Sequence, residues 1–366
     1  MKAVIIKSPG ILEVQDVPQP ECKPDEIKVK IAYAGICGTD PKIIEGTVRW
    51  PFPAGSIGGP LKNTPMRETR LGHEASGTIV RIGKDVKGNF KVGQHVAMNF
   101  RKTCGGCYYC QNKMENFCER AILFLGVMAE YVCFEESLVY VLPDDLPLEV
   151  GAFLEPLSIA VHTIDMAEVK TGDSVIITGG GPIGLLTLQL AIKAGASRVL
   201  LSEPVAEKRA LAKQFGADIV VDPLTEDLLT ISNKLTDGRG FNVCIEATGI
   251  SAIARQLILL AERCGHIIWA GVYPGNIDVG VPIFYMYSKE LSIRSIRVAP
   301  YCFPRALALL PKMNPNTATV QAVVKGRTPS KIRERERTHR QSIEVIAENR
   351  FALKAVAPIG KRFTKR

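Results

Sequence analysis

The sequence predicts an α/β plus β chain of two domains. A small antiparallel β domain runs from Met1 to about residue 157, and an α/β domain with a doubly wound parallel sheet follows over about 158–295. Three observations predict this. The first part is rich in Gly and Pro and carries short alternating runs, such as Lys28–Tyr33, Gly77–Ile82 and Gln94–Met98, the pattern of half-buried strands joined by turns. The second part changes to continuous apolar runs separated by helical stretches, which suits strands buried on both faces. A glycine-rich turn lies between the first of those strands and the helix after it.

Taken in order, Met1–Lys7 reads as a strand; it lacks the long apolar segment and small-residue cleavage site of a signal peptide. In the second domain the expected strands are Ser174–Thr178, Arg198–Leu201, Ile219–Val221, Val243–Ala247, Gly265–Ala270 and Leu291–Ser295, with a helix over Leu185–Ala194. Residues 296–366 are expected to return to the first domain, with an atypical basic tail from about 314. No run of eighteen apolar residues occurs, so no membrane span is expected. Ten cysteines without an export signal point to a reducing cytoplasm and to metal ligation rather than disulfides.

The formal net charge is +9, but it is not spread over the chain. From Lys325 to Arg366 there are 13 Lys or Arg against four Glu, which accounts for the whole excess and leaves the rest neutral. A neutral body argues against a groove for nucleic acid.

Cys104, Cys107, Cys110 and Cys118 form a C-x2-C-x2-C-x7-C run in a turn-rich stretch. Four thiolates at this spacing can close a tetrahedron around a structural zinc. A redox pair needs only two thiols, and a disulfide staple needs an oxidising compartment, so a zinc lobe at 104–118 is favoured.

After Ser174–Thr178 comes Gly179-Gly180-Gly181-Pro182-Ile183-Gly184, a G-x-G-x-x-G turn with a strand before it and a helix after it. Gly179 permits the tight turn, Gly181 lets backbone approach a pyrophosphate, and Gly184 allows close helix–strand packing. Pro182 fits ahead of the helix, where its missing donor costs nothing, and with Ile183 it lies where the helix N-terminus meets the phosphates. Glu203, at the end of the next strand, can accept the ribose hydroxyls and repel a 2′-phosphate, which favours NAD; Lys208 is placed to flank the adenosine ribose.

Further donors are dispersed: Cys37 in Gly35-Ile36-Cys37-Gly38-Thr39-Asp40, His73 and Glu74 in Gly72-His73-Glu74, and Glu155 in Glu155-Pro156-Leu157. Singly, each is more often a satisfied core residue than a ligand. Together with the four-cysteine lobe and the glycine turn with Glu203, in this order, they resemble the zinc-dependent medium-chain alcohol dehydrogenases, in particular the polyol branch with sorbitol and threonine dehydrogenases. The resemblance runs from Met1 to about Pro311.

The resemblance implies a GroES-like catalytic domain, a Rossmann domain, and a catalytic zinc held by Cys37, His73 and a carboxylate, either Glu74 or Glu155. It implies Asp40 behind His73, Thr39 as the hydroxyl that relays the proton, and hydride transfer from a secondary alcohol, a polyol or sugar alcohol, to NAD. A threonine-type hydroxy-amino-acid dehydrogenase is the alternative, and a homo-oligomer, dimer or tetramer, is expected. A reading of a different class, a non-catalytic NAD- or nucleic-acid-binding protein using the basic tail, has the neutral body and the full metal set against it.

The chain departs from the family pattern in three places. Lys42 stands where many relatives carry an outer relay histidine. Arg49–Arg70, with Trp50, Phe52 and Arg67, makes a long connection before His73 that reads as a surface loop. After Met313 the apolar periodicity expected of the family's last elements is missing, which suggests a frame-shifted continuation; re-reading the coding DNA near that codon tests it.

Overall fold

A computed structural model describes residues 1–8, 10–44, 69–273, 277–313 and the short strand 347–348. The Trp50–Arg67 connection and the tail from 314, that strand excepted, lie outside the described residues. The chain divides into two compact units: Met1–Cys107 with Cys118–Glu155 and Ala318–Arg366, and Tyr108–Phe117 with Pro156–Thr317.

In the first unit the chain enters as β1 (Lys2–Ser8), which pairs antiparallel with Ile11–Asp16. The main sheet is built from β2 (Glu26–Gly35), β3 (Glu74–Ile82), β4 (His95–Met98), β5 (Tyr131–Glu135) and β6 (Val139–Val141). Its order is β6-β4-β3-β2, with β5 also on β2 and residues 347–348 pairing antiparallel with Tyr33 and Ala34 of β2. Every pairing is antiparallel. Alternate side chains along these strands, Ile27, Val29 and Ile31 of β2, Ile79 of β3, Val96 and Met98 of β4 and Phe134 of β5, enter one core. Period-two burial is why the alternating runs were readable.

Helix α1 (Leu154–Ala167) precedes the sheet of the second unit. That sheet consists of β7 (Ser174–Thr178), β8 (Arg198–Ser202), β9 (Ile219–Val221), β10 (Phe241–Glu246), β11 (Ala261–Trp269) and β12 (Ser292–Ser295). The spatial order is β9-β8-β7-β10-β11-β12, parallel throughout. Read as 3-2-1-4-5-6, this is the Rossmann order, whose reversal point lies beside the first strand. Neighbouring residues of one strand serve opposite cores: Val175, Ile177, Val199, Leu201, Val243 and Ile245 pack on one side, Ile176, Leu200, Cys244 and Ile267 on the other. Burial of both faces explains the unbroken apolar runs.

Boundaries differ from expectation by a few residues. β10 and β11 start at Phe241 and Ala261, earlier than expected, because these two fully buried residues already pair with each other ahead of a register shift in the ladder. The helix after β7, α2 (Pro182–Lys193), begins three residues early: Pro182 takes its first position, where a missing N–H costs nothing. The last two elements used below are α3 (Ile283–Lys289) and α4 (Phe303–Leu309). Among the described residues no helix is long and apolar enough to cross a membrane.

Candidate active site and cofactor loop

Three donors far apart in sequence meet in the first unit. β2 ends at Gly35 and turns, presenting Cys37; β3 begins at Glu74, directly after His73. Gly35 and Glu74 are cross-strand partners. A Cβ at position 35 would collide with the Glu74 carboxylate, so glycine there is what lets the acid turn inward. The thiol, an imidazole nitrogen and a carboxylate oxygen of Cys37, His73 and Glu74 lie within 4.8 Å of one another. Glu155, in the first turn of α1, is buried but is not part of that three-donor group.

The turn after Cys37 locks itself. Asp40 accepts the Cys37 N–H through Oδ2 at 2.9 Å, and its own N–H donates to the Cys37 carbonyl at 2.9 Å. Its other oxygen, Oδ1, is buried without a hydrogen-bond partner among the described residues and stands 3.7 Å from His73 Nδ1. The expected contact behind His73 thus has the right partners, a little longer than a hydrogen bond. Burial pushes the Asp40 carboxyl up to about 7, opposed by the Cys37 N–H. Burial likewise depresses His73 to about 4, and burial with the Asp40 charge raises Glu155 to about 8. Phe100 lies 5.0 Å from the His73 ring and forms part of its apolar wall. Thr39 Oγ1 is also buried without a hydrogen-bond partner among the described residues.

These features fit a divalent ion. A thiol, an imidazole and a carboxylate at mutual reach are a zinc donor set, and a dication would offset the cost of burying two acids beside a histidine. An orphaned carboxylate oxygen aimed at a histidine is the usual support for a metal-bound imidazole.

The four cysteines of the 104–118 lobe also have their sulfur atoms within 4.8 Å of one another. Gly105 adopts φ +68°, and the Cys104 N–H reaches Cys118 Sγ at 3.3 Å. The backbone N–H of Gly106 draws the Cys104 thiol down to about 6, toward the thiolate that a metal needs. Four sulfur donors fit a closed structural zinc site.

In the second unit, Gly179 has φ +98°, and a Cβ there would stand 2.9 Å from Thr248 Cγ2. A Cβ on Gly184 would collide with the Gly179 carbonyl, whereas one on Gly181 would meet nothing within 4 Å. Gly181 caps α2, whose first turn holds Pro182 and Ile183. The open space at Gly181, under free helix N–H groups, fits a pyrophosphate. Glu203 is buried after β8; its carboxylate accepts Gly180 N–H at 2.7 Å and Val205 N–H at 2.9 Å. Lys208 is half-buried on the following helix, Ala206–Gln214.

Two residues escaped the sequence reading. Arg209 donates to the Glu203 carbonyl at 2.7 Å and pairs with Asp222 at 3.0 Å, bracing the turn at Glu203. Glu246, fully buried at the end of β10, accepts the N–H of Thr248 at 2.5 Å and of Gly249 at 2.9 Å, together with the hydroxyls of Thr248 and Tyr273. Thr248 is the residue packed on Gly179, so Glu246 holds the wall of the glycine turn. A carboxylate closing an otherwise apolar strand was the available signal. Arg297 lies with its guanidinium 5.6 Å from the centre of the Phe117 ring.

Comparison with known proteins agrees with this architecture. Residues 23–144 match the alcohol dehydrogenase GroES-like domain and residues 182–312 the zinc-binding dehydrogenase domain. The chain belongs to the zinc-dependent alcohol dehydrogenase family and is a zinc- and nicotinamide-linked oxidoreductase. It is 34% identical to D-arabitol-phosphate dehydrogenase of Enterococcus avium over 85% of this chain and 87% of that one. It is also 34% identical to L-threonine 3-dehydrogenase of Pyrococcus horikoshii, over 81% and 82% respectively. Among solved structures, a zinc-binding dehydrogenase from Sinorhizobium meliloti bound to NADP superposes with a TM-score of 0.78 at 29% identity, covering 95% of this chain and 98% of that one.

Proposed function

We propose that this enzyme oxidises a secondary hydroxyl of a polyol or sugar alcohol, passing hydride to NAD. The observation that carries the reading is the meeting of Cys37, His73 and Glu74 beside two buried oxygens, Asp40 Oδ1 and Thr39 Oγ1, that have no hydrogen-bond partner among the described residues. Similarity to an arabitol-phosphate dehydrogenase supports the substrate class.

Zinc, when bound, supplies the Lewis acidity that brings an alcohol pKa toward neutrality. Cys37, His73 and Glu74 hold it, with Glu155 in reserve as a carboxylate that can replace Glu74. Asp40 fixes the His73 ring through Nδ1 and leaves Nε2 for the metal. Thr39 Oγ1 accepts the substrate hydroxyl proton as its own proton passes outward to the cofactor ribose and water. Gly181 and the α2 N-terminus hold the pyrophosphate, Glu203 the adenosine ribose, and Lys208 flanks it. Glu203 is the reason to prefer NAD, since a 2′-phosphate would meet its charge.

The lobe cysteines Cys104, Cys107, Cys110 and Cys118 take a structural zinc. A homo-oligomer is supported by α3, whose Ile283, Phe284 and Tyr287 are each about four-fifths exposed.

A threonine dehydrogenase is the second reading, supported by the similarity to the Pyrococcus enzyme. Purified enzyme with NAD, assayed against polyols, polyol phosphates and L-threonine with and without chelator, separates them. Turnover of polyols that chelation abolishes is expected. Turnover of threonine alone replaces the substrate class, and chelator-resistant turnover removes zinc from the chemistry.

A further inference from the structure

A third donor cluster lies within the second unit, apart from both zinc sets. We infer that His162, Asp165 and Cys302 form an additional binding site for a borderline divalent cation such as Zn2+, Co2+ or Cd2+, in which the metal replaces the Arg305 guanidinium. An imidazole nitrogen, a carboxylate oxygen and the thiol lie within 4.8 Å of one another.

The backbone explains why these side chains meet. His162 and Asp165 are three residues apart on α1, on one face of the helix. Cys302 caps α4 after a turn in which Val298 and Tyr301 take φ of 46° and 58°. That turn is fastened by the Tyr301 N–H on Glu115 Oε1 at 3.0 Å, and it buries the thiol to 2% exposure.

The cluster already selects for positive charge. Arg305 grips Asp165 with both guanidinium nitrogens, at 2.5 and 2.8 Å, while Cys302 donates its proton to the Pro300 carbonyl at 3.1 Å. Arg305 is more than half exposed, so it can move into solvent at little cost. Burial holds His162 below its ordinary range, against the opposing pull of Asp165, so the imidazole is neutral and its lone pair available.

Ligand atoms of a tetrahedral zinc site are about 3.3–3.8 Å apart, so the donors need to close by about an ångström. On binding, the Cys302 S–H bond breaks and a metal–sulfur bond forms; the proton leaves to solvent and no electrons are transferred. Sulfur and nitrogen donors disfavour Mg2+ and Ca2+. Water takes the open position, and the ion ties α1 to α4.

The test is independent of the catalytic reading because it uses none of its residues. Zinc-loaded enzyme is dialysed against Co2+, with bound metal and thiolate-to-cobalt absorption measured in wild type, Cys302→Ser, His162→Gln and Arg305→Ala. Wild type should take up one equivalent beyond the family's zinc, and Cys302→Ser and His162→Gln should weaken it by about tenfold or more. Arg305→Ala should tighten it about three- to tenfold by removing the competing cation. All variants should keep wild-type NAD reduction, which reports that they fold. Absence of the extra equivalent, equal uptake by Cys302→Ser, or no tightening in Arg305→Ala would each overturn the assignment.

Discussion

The two zinc donor sets solve opposite problems. The lobe cysteines are close in sequence and chemically uniform, and one of them is helped toward the thiolate by a neighbouring backbone N–H. The Cys37, His73 and Glu74 set is drawn from the end of β2 and the start of β3, is chemically mixed, and sits beside Thr39 Oγ1 and Asp40 Oδ1, which have no hydrogen-bond partner among the described residues. The first is complete with its own four donors. The second keeps a buried hydroxyl, Thr39 Oγ1, that has no hydrogen-bond partner among the described residues. Such a group is costly in a folded chain and is retained where a ligand takes it up.

That contrast can be broken by substitution. Cys37→Ala should reduce kcat on the order of a thousandfold or more, with a near-wild-type thermal transition and loss of an ion by metal analysis. Cys104→Ser should do the reverse, lowering Tm by about 10 °C or more through the lost structural ion, while the protein still folded turns over at nearly normal kcat. If Cys104→Ser abolished turnover at full stability, the division of roles would be wrong.

The glycine turn offers a sharper version of the same comparison. Gly184→Ala forces a Cβ into the Gly179 carbonyl and should destabilise the chain by about 1–3 kcal/mol, measured by denaturant unfolding. Gly181→Ala places its Cβ in open space, so stability should hold while the NADH dissociation constant rises about tenfold. The smallest effect is expected for Glu246→Gln, which keeps the shape but weakens the bonds that hold Thr248 on Gly179. KM for NAD should rise a few-fold with kcat little changed, as expected for a residue that positions the turn.

Much of this was legible in the chain because local rules carried it. Period-two runs gave the antiparallel strands, unbroken apolar runs gave the parallel ones, and Gly179 to Gly184 stood in its strand–turn–helix setting. The meeting of Cys37 with His73 was not readable from spacing, because 35 residues separate them and only the β2–β3 register joins them. The dependence of Glu74 on Gly35 was invisible for the same reason. Glu246 escaped because its partners follow the end of its own strand, where a sequence shows a turn but not which carboxylate oxygen the turn closes on. Arg209 escaped because Asp222, its partner, lies on the far side of β9.

The central claim is that Cys37, His73 and Glu74 surround one catalytic ion. Anomalous diffraction at the zinc edge from crystals of the zinc-loaded enzyme tests it most directly. The account predicts an anomalous peak bonded to the Cys37 sulfur and the His73 imidazole, separate from the peak in the 104–118 lobe. A peak in the lobe alone, from enzyme that turns over, would contradict it.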